Sequence, residues 1–332
     1  MKPVSLGILA TLVISGAFPL LAQMVAPVKS GYVHYVEGAV FIDDKAIPEP
    51  ITGQFPAVAE GSIIRTGQGR AEVLMNPGVT FRLGENASAQ MVMTPFTDTR
   101  VQLLKGSSTV QIIERLKDTN LSLTVGEAQI VFDKAGFMHV DAEPARIIVY
   151  TGQANVRLGD KLFVVTDGKV LNFANGASAT VQKYDKDQTE ALDRWSMRRG
   201  EVLAQANAAA ARNCFLGKDC GPGWNWNPNY RMMVYIPMGT SLCDPFLGYC
   251  FYNPVGIRQA RNPMPPAGGW SPMPGGSMGG VGMAPTSTGY SGTGAVATST
   301  AAAPSAGTGS SAASSGSAGT VGQGSAAGNR GR

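Results

Sequence analysis

Histidine is the scarcest chemically useful residue in this chain, with only His34 and His139 among 332 residues. Neither has the partner spacing of a catalytic triad or of a metal site, and we expect each to face solvent or a neighbouring chain from within a strand. The carboxylates fall at turn positions, where Asp is favoured for backbone reasons alone. The sequence therefore predicts no catalytic residue, no cofactor and no metal, and the protein is expected not to be an enzyme.

Cysteine is nearly as scarce, and the four cysteines lie in one short region: Cys214, Cys220, Cys243 and Cys250. Four cysteines allow three pairings, and we favour the local one, Cys214 with Cys220 and Cys243 with Cys250. A zinc site is the competing interpretation, but the spacings are wider than those usual between paired zinc ligands. Disulfides in turn indicate an oxidising compartment.

Acidic residues and lysine are absent from residues 255–332, which consist largely of Gly, Ser, Ala, Pro and Thr. Such a segment has too little apolar surface to offset the entropy of ordering its backbone, so it is predicted to be disordered. Its four arginines account for the whole formal net charge of +4. The rest of the chain is electrically balanced, which argues against a nucleic-acid surface.

Long apolar runs are also missing, except at residues 4–21. That run follows Lys2 and precedes Ala22, with Leu20 and Ala22 at the −3 and −1 positions of a cleavage site, so residues 1–22 are predicted to be a signal peptide. A retained membrane anchor remains the alternative, since about 20 apolar residues span a bilayer. Either way we expect an exported protein of the periplasm or cell envelope, touching the membrane only through this segment if it is not cleaved.

What the chain does contain is a succession of short alternating runs bounded by glycine. The clearest is residues 64–84, in which Gly67-Gln68-Gly69 is interpreted as a turn, Asn76-Pro77-Gly78 as a second turn, and the runs after them as a β-hairpin. No helix follows Gly69, which excludes a phosphate-binding loop. Similar runs continue to residue 182, so residues 28–184 are predicted to form one all-β domain. A recurring glycine-then-valine unit favours a solenoid- or roll-like stack of strands, with a β-sandwich as the alternative.

The next segment changes period. Residues 187–213 are predicted to be an amphipathic α-helix, with Asp187 and Glu190 as a capping box and Gly200 as a point of kinking. Its expected apolar face, laid on the β domain, is formed by Leu192, Trp195, Val202, Leu203 and Ala206. Residues 214–254 follow as a segment rich in cysteine and aromatic residues.

The 64–84 stretch, together with Glu60-Gly61-Ser62-Ile63 before it and Asn86-Ala87-Ser88 after it, resembles the FecR domain. The similarity extends over roughly residues 31–181. The resemblance implies a periplasmic domain of an inner-membrane signal transducer whose cytoplasmic segment holds a sigma factor. Only three residues precede the apolar run here, so we carry over the domain and the compartment but not the anti-sigma activity.

Two functions are compatible with these features. The first is a non-enzymatic exported FecR-domain protein of the bacterial cell envelope that acts by contacting an unidentified protein or polymer, in a role such as envelope signalling. The alternative is a carbohydrate- or peptidoglycan-binding module. In that case the stacking platforms would be the rings of Trp224, Trp226, Tyr230, Tyr249 and Tyr252.

Overall fold

The computed structural model describes residues 29–51, 54–174, 179–215 and 220–260. The predicted signal peptide and nearly all of the predicted disordered tail lie outside these residues. Within the described part of the chain, no helix is long and apolar enough to cross a membrane.

Thirteen strands form the main sheet, and four more form two small hairpins. The strands are β1 Tyr32–Ile42, β2 Lys45–Ala46, β3 Ile63–Leu74, β4 Val79–Leu83, β5 Ser88–Met93, β6 Thr99–Lys105, β7 Ser107–Ile112, β8 Leu121–Val125, β9 Ala128–Ala142, β10 Ala145–Leu158, β11 Lys161–Thr166, β12 Lys169–Asn172, β13 Thr180–Lys183, β14 Gly223–Asn227, β15 Met232–Ile236, β16 Leu242–Asp244 and β17 Tyr249–Phe251. A short 3₁₀ helix, Phe96–Asp98, precedes β6, and the two α-helices are α1 Ala191–Phe215 and α2 Pro254–Gln259.

Seven strands of the main sheet form a closed, barrel-like ring in the order β9, β7, β4, β3, β5, β6, β8 and back to β9. Within the described residues, all strand pairs are antiparallel except β6 with β8. The remaining strands extend the sheet outward, β1 and β2 from β3, and β10 to β13 from β9. The all-β prediction is therefore correct, and the sheet closes on itself as a barrel-like ring that is not specifically the predicted solenoid- or roll-like stack.

The ring closes because long strands bend at corners. Gly106 forms the bend between β6 and β7, with a φ of +74° that favours glycine. A Cβ at this position would lie 2.8 Å from the backbone of Ala87. Inside the ring the side chains are apolar, as alternation along each strand predicts, and include Val73, Phe81 and Val140.

The predicted hairpin of residues 64–84 exists as β3 and β4, joined by the turn at Asn76-Pro77-Gly78. The turn predicted at Gly67-Gln68-Gly69 is wrong, because these residues lie inside β3. There Gly69 faces Gly38 of β1 beside a register shift, and a Cβ on Gly69 would lie 2.5 Å from the carbonyl oxygen of Glu37. The glycines permit a close approach of two backbones rather than a reversal of the chain.

Helix α1 lies across the outer surface of the ring. It runs from Ala191 to Phe215 without a break at Gly200. The predicted capping box at Asp187 is also displaced: Asp193, in the first turn, accepts a hydrogen bond from the backbone N–H of Glu190 at 2.7 Å. Of the predicted apolar face, Val202 is exposed, whereas Leu192, Trp195, Leu203 and Ala206 are buried.

The cysteine- and aromatic-rich segment is folded, as the hairpins β14–β15 and β16–β17. Most of its apolar side chains pack together with α1 and with Leu74 of β3 in a second core, outside the ring. Helix α2 starts with Asn253 as its N-cap and buries Ile257 against α1. Ordered structure thus continues past residue 255, where the tail was predicted to begin.

Candidate functional site

One disulfide joins the last turn of α1 to the segment that follows it, and the other lies within that segment. Cys214 is bonded to Cys220 just beyond the helix, and Cys243 of β16 is bonded to Cys250 of β17. This is the local pairing that the sequence favours, and it excludes zinc ligation by these four sulfurs. Disulfides are typical of proteins of oxidising compartments.

A cleft of about 540 Å³ opens between the β16–β17 hairpin and the main sheet. One wall is the hairpin, residues 242–245 with Tyr249 and Phe251; the other is a distorted part of the sheet, residues 134–136 and 151–153 with residues 166–167. The distortion is a set of register shifts between β9 and β10 from Val149 to Ala154. Bulges of this kind redirect side chains and are frequent beside functional sites.

Hydrogen bonds hold the hairpin at a fixed distance from the sheet. Thr151 of β10 donates from Oγ1 to Oδ2 of Asp244 at 2.7 Å, while Oδ1 of Asp244 accepts from the backbone N–H of Phe246 at 2.9 Å. Deeper in the cleft, Gln111 of β7 donates from Nε2 to the hydroxyl of Tyr249 at 3.0 Å. These hydrogen bonds, made by the protein's own groups, fix the position of the hairpin relative to the sheet at two points of the cleft.

Beneath α1, the outward-facing side chains of the ring form a buried ionic cluster around Glu72, which we call the Glu72 cluster. Its carboxylate accepts hydrogen bonds from Arg82 Nε at 2.8 Å, Arg199 Nη2 at 2.9 Å and His34 Nδ1 at 2.9 Å. The side chains of His34, Glu72 and Arg82 are fully buried. Although burial raises the pKa of Glu72, the charges of Arg199 and Arg82 outweigh it and hold that pKa well below its usual range.

The protonation state of His34 follows from its partners. Its Nε2 accepts a hydrogen bond from the backbone N–H of Met233 at 3.0 Å, so the ring proton lies on Nδ1 and is donated to Glu72. Burial lowers the pKa of His34 below its ordinary value of 6.5, and the positive charges of Arg199 and Arg82 add to the effect, against the raising influence of Glu72. His34 is thus a neutral residue that joins β1, β3 and β15.

A second buried cluster surrounds His139 of β9 at the start of α1, and we call it the His139 cluster. Nδ1 of His139 lies 2.6 Å from Asp193 and Nε2 lies 3.0 Å from Asp141. Burial alone would lower the pKa of His139, but hydrogen bonds to these two carboxylates and their charges raise it to about 10. Both nitrogens therefore carry protons and donate them. Tyr150 adds a hydrogen bond from its hydroxyl to Asp193 at 2.7 Å.

The prediction that both histidines face solvent or a neighbouring chain is wrong, because α1 and the β14–β15 hairpin cover the outer face of the ring. The two clusters fasten α1 to the ring, Asp193 through His139 and Arg199 through Glu72. A third tie is the hydrogen bond of 2.7 Å between the hydroxyls of Thr109 and Ser196. Each histidine thus already has its hydrogen-bonding nitrogens occupied by the protein itself.

His139, Asp141 and Glu190 bring three potential metal-ligand atoms within 4.8 Å of one another. Arg146 occupies the same place, however, and donates from Nε to Asp141 at 2.5 Å and from Nη2 to Glu190. A guanidinium group supplies the positive charge that a metal would supply, and a doubly protonated imidazole has no free lone pair for a metal. These residues therefore fit an ion-pair network and do not fit a metal site.

The five aromatic residues proposed as stacking platforms are placed differently from one another. Trp224 and Tyr249 are buried, Trp224 with its ring against Tyr235 and its Nε1 donating to the carbonyl oxygen of Asn76 at 3.3 Å. These two rings serve the second core and cannot stack on a polymer, which corrects that part of the prediction. Trp226 and Tyr252 are half-buried, and Tyr230 is exposed.

Neither charged cluster is predicted by the sequence pattern. Strand alternation assigns Glu72, Arg82 and His139 to the outer face of the sheet, which is correct, but it gives no indication that a helix covers that face. One pattern in the sequence does indicate a covered face: the small and polar residues Asp193, Ser196, Gly200 and Asn207 recur at helical spacing, and all four are buried in α1.

No family model matches this chain, and no curated protein matches its sequence. Two crystal structures from Parabacteroides distasonis, each described as that of a "putative anti-sigma factor", are similar to it, both at a TM-score of 0.34. One is 17% identical and the match covers 38% of this chain and 61% of that chain; the other is 14% identical, with 52% and 82% covered.

Proposed function

We propose that this chain is an exported, non-enzymatic protein of the bacterial cell envelope, and that it works by binding another macromolecule in the cleft beside the Cys243–Cys250 disulfide. The observation that carries the proposal is the cleft itself: it is preformed, mixed in polarity, and held open by the contacts of Thr151 with Asp244 and of Gln111 with Tyr249. Preorganised clefts of this size are typical of binding sites.

Two further features support the proposal. The disulfides fit an oxidising compartment, as does the signal-like segment of residues 1–22. The FecR-like stretch of residues 60–88 suggests a place among envelope proteins that pass signals by contact. Anti-sigma activity is not part of the proposal.

The non-enzymatic character is proposed because the groups best suited to acid–base chemistry have structural duties. His34 with Glu72, and His139 with Asp193, lie beneath α1 as hydrogen-bonded pairs whose side chains are fully buried. General acid–base catalysis requires such groups to reach a substrate.

Site-specific photo-crosslinking in intact envelopes tests the proposal. A photoreactive amino acid at Thr166, which lines the cleft, is expected to capture a discrete partner. The matched control carries the same group at Leu162, which lies on the same strand and the same face but outside the cleft, and is 56% exposed. Equal yields from the two positions, or a product from neither, would contradict binding in the cleft.

The carbohydrate-binding alternative retains one favourable observation, the 46% exposure of Tyr230 beyond the half-buried Trp226. If these rings hold a glycan, replacing both with alanine should abolish sedimentation of the purified protein with peptidoglycan. Tyr184→Ala, which removes a half-buried tyrosine that packs against a different cluster, serves as the control.

A further inference from the structure

We propose that the occupant of the cleft is an extended peptide segment of a partner protein, and that it binds by pairing as an added strand with the free edge of β16. The proposal deepens the function proposed above and rests on it, since it names how the same cleft recognises its partner. The steps below concern the edge, the walls and the preorganisation of the cleft.

Among the described residues, strand β16 is paired on one side only. Its partner is β17, in the register Leu242 with Phe251, Cys243 with Cys250 and Asp244 with Tyr249. All three residues of β16 line the cleft, together with Tyr249 and Phe251 of β17, so the unpaired edge of β16 lies beside the cleft. An edge strand presents a row of backbone donors and acceptors to whatever lies beside it.

The Cα–Cα distance of the Cys243–Cys250 pair shows which backbone groups are presented. In antiparallel ladders, directly opposed residues are about 5.5 Å apart when they exchange hydrogen bonds and about 4.5 Å apart when they do not. The pair lies at 4.1 Å and is therefore a non-hydrogen-bonded pair. Both the N–H and the C=O of Cys243 consequently point away from β17, toward the unpaired edge of β16, and no group of the described residues bonds to either.

One N–H and one C=O on the same residue form the smallest unit that recognises another extended backbone. A peptide residue opposite Cys243 would exchange two hydrogen bonds with it, as in other cases of strand addition. The three residues of β16 span about 10 Å, which matches about three residues of an extended peptide. A cleft of about 540 Å³ is of suitable size for such a segment.

The walls of the cleft would select among peptides by their side chains. Ile113, just after β7, and Phe251 of the hairpin provide an apolar floor, whereas Gln153 and Thr166 form a polar rim on the opposite wall. Because successive side chains of an extended peptide point to opposite sides, one apolar side chain would enter the floor while its neighbours face solvent. The expected ligand is thus an extended segment with an apolar residue between polar ones.

Preorganisation strengthens this mode of binding. The edge of β16 is fixed by the disulfide and by Asp244, whose side chain bonds both Thr151 and the turn at Phe246. An incoming peptide would lose its own conformational freedom but would not have to order the edge that receives it.

The first experiment screens the full chain against an array of random octapeptides and measures amide hydrogen exchange with a selected peptide. Slower exchange at the Cys243 amide, by about tenfold or more, is expected on binding. The amides of Leu242 and Asp244 serve as internal controls, because they belong to the hydrogen-bonded pairs of the ladder and are already protected. An unchanged rate at Cys243 with a bound peptide would overturn the proposal.

The second experiment alters the peptide rather than the protein. Methylation of the single backbone nitrogen opposite Cys243 removes one donor and leaves every side chain in place. It should weaken binding about tenfold, whereas methylation of a residue near the peptide terminus should change affinity less than twofold. Equal affinities for all methylated forms would show side-chain recognition without strand addition.

The outcomes also separate this inference from the proposed function. A crosslinked partner at Thr166 in envelopes, together with peptides that leave Cys243 unprotected, would refute strand addition while preserving binding in the cleft. The absence of both a crosslinked partner and any selected peptide would refute the two together.

Discussion

The hydroxyl of Tyr249 lies where a side chain on Gly200 would have to be: a Cβ at Gly200 would be 1.9 Å from that oxygen. Gly200 is buried in the middle of α1, and the ring of Tyr249 packs directly over it, with Gln111 alongside. The glycine therefore allows the β17 strand and the helix to approach closely, which is what positions one wall of the cleft.

Replacing Gly200 with alanine should destabilise the protein, although the same change usually stabilises a helix by about 1 kcal/mol. Overpacking of a filled site costs about 1–3 kcal/mol, and contact this close places the cost at the upper end, for a net loss of about 1–2 kcal/mol. Urea denaturation measures this net loss in the free energy of unfolding. Gln205→Ala, an exposed change in the same helix, should be nearly neutral.

A Tyr249→Phe background provides the second test of this contact. Removing the hydroxyl removes the nearest atom, so the cost of Gly200→Ala should fall, and the double-mutant cycle should show coupling between the two positions. Additive costs would mean that the helix accommodates the new methyl group in another way.

The strands of the main sheet were predictable because glycine-bounded alternation fixes both their existence and their two faces. The all-β class, the β3–β4 hairpin with its turn at Gly78 and the preferred cysteine pairing all follow from local residue patterns. Closure of the ring was not predictable, since it depends on the pairing of β8 with both β6 and β9. Pairings of this kind leave no period in the sequence.

The location of the cleft and of the buried clusters was not predictable for a related reason. A charged residue on the outer face of a strand, such as Glu72 or Arg82, has the same sequence pattern whether solvent or a helix covers it. Similarly, Asp193 looks like a solvent-facing residue of α1 until His139 is known to lie opposite. Both arrangements depend on tertiary packing between segments more than 50 residues apart.

Glu72→Gln should cost about 3–5 kcal/mol of unfolding free energy, because it removes the negative charge between two buried cations, Arg82 and Arg199. The expected observation is a lower urea midpoint with an unchanged slope. Glu85→Gln is the matched control: its 2.6 Å pair with Arg70 is partly exposed, and its loss should cost less than about 1 kcal/mol. Similar losses in the two variants would contradict the structural importance of the Glu72 cluster.

The two histidines should make the free energy of unfolding depend on pH in opposite directions. In the folded protein the pKa of His34 is lowered, so its contribution to the free energy of unfolding is complete above pH 6.5. That contribution is lost as the pH falls from 6.5 through the lowered pKa. The folded pKa of His139 is raised to about 10, so its contribution is complete below pH 6.5 and is lost as the pH rises toward 10.

Unfolding free energies measured across this range should therefore change slope in each histidine variant separately. His34→Gln should flatten the acid side of the profile and leave the alkaline side intact, and His139→Gln should do the reverse. Each variant thus controls for the other. If either substitution flattened the plot of unfolding free energy against pH on both sides, the assignment of a neutral His34 and a charged His139 would be contradicted.

Removing the Cys243–Cys250 disulfide should loosen the cleft without unfolding the ring. Cross-links that close loops this short contribute about 2–3 kcal/mol in the chain-entropy model, and this one joins strands of three residues each. In the variant with both cysteines changed to serine, amide exchange should accelerate across residues 242–251, while β9 and β7 remain protected. Because the loosened hairpin still carries Asp244, its contact with Thr151 should keep part of the structure in place.

The corresponding serine variant of Cys214 and Cys220 should leave exchange in β16 and β17 unchanged, since that disulfide closes a different loop. Faster exchange throughout the ring in the first variant would mean that the hairpin is an integral part of the barrel's stability and not a separately attached wall of the cleft.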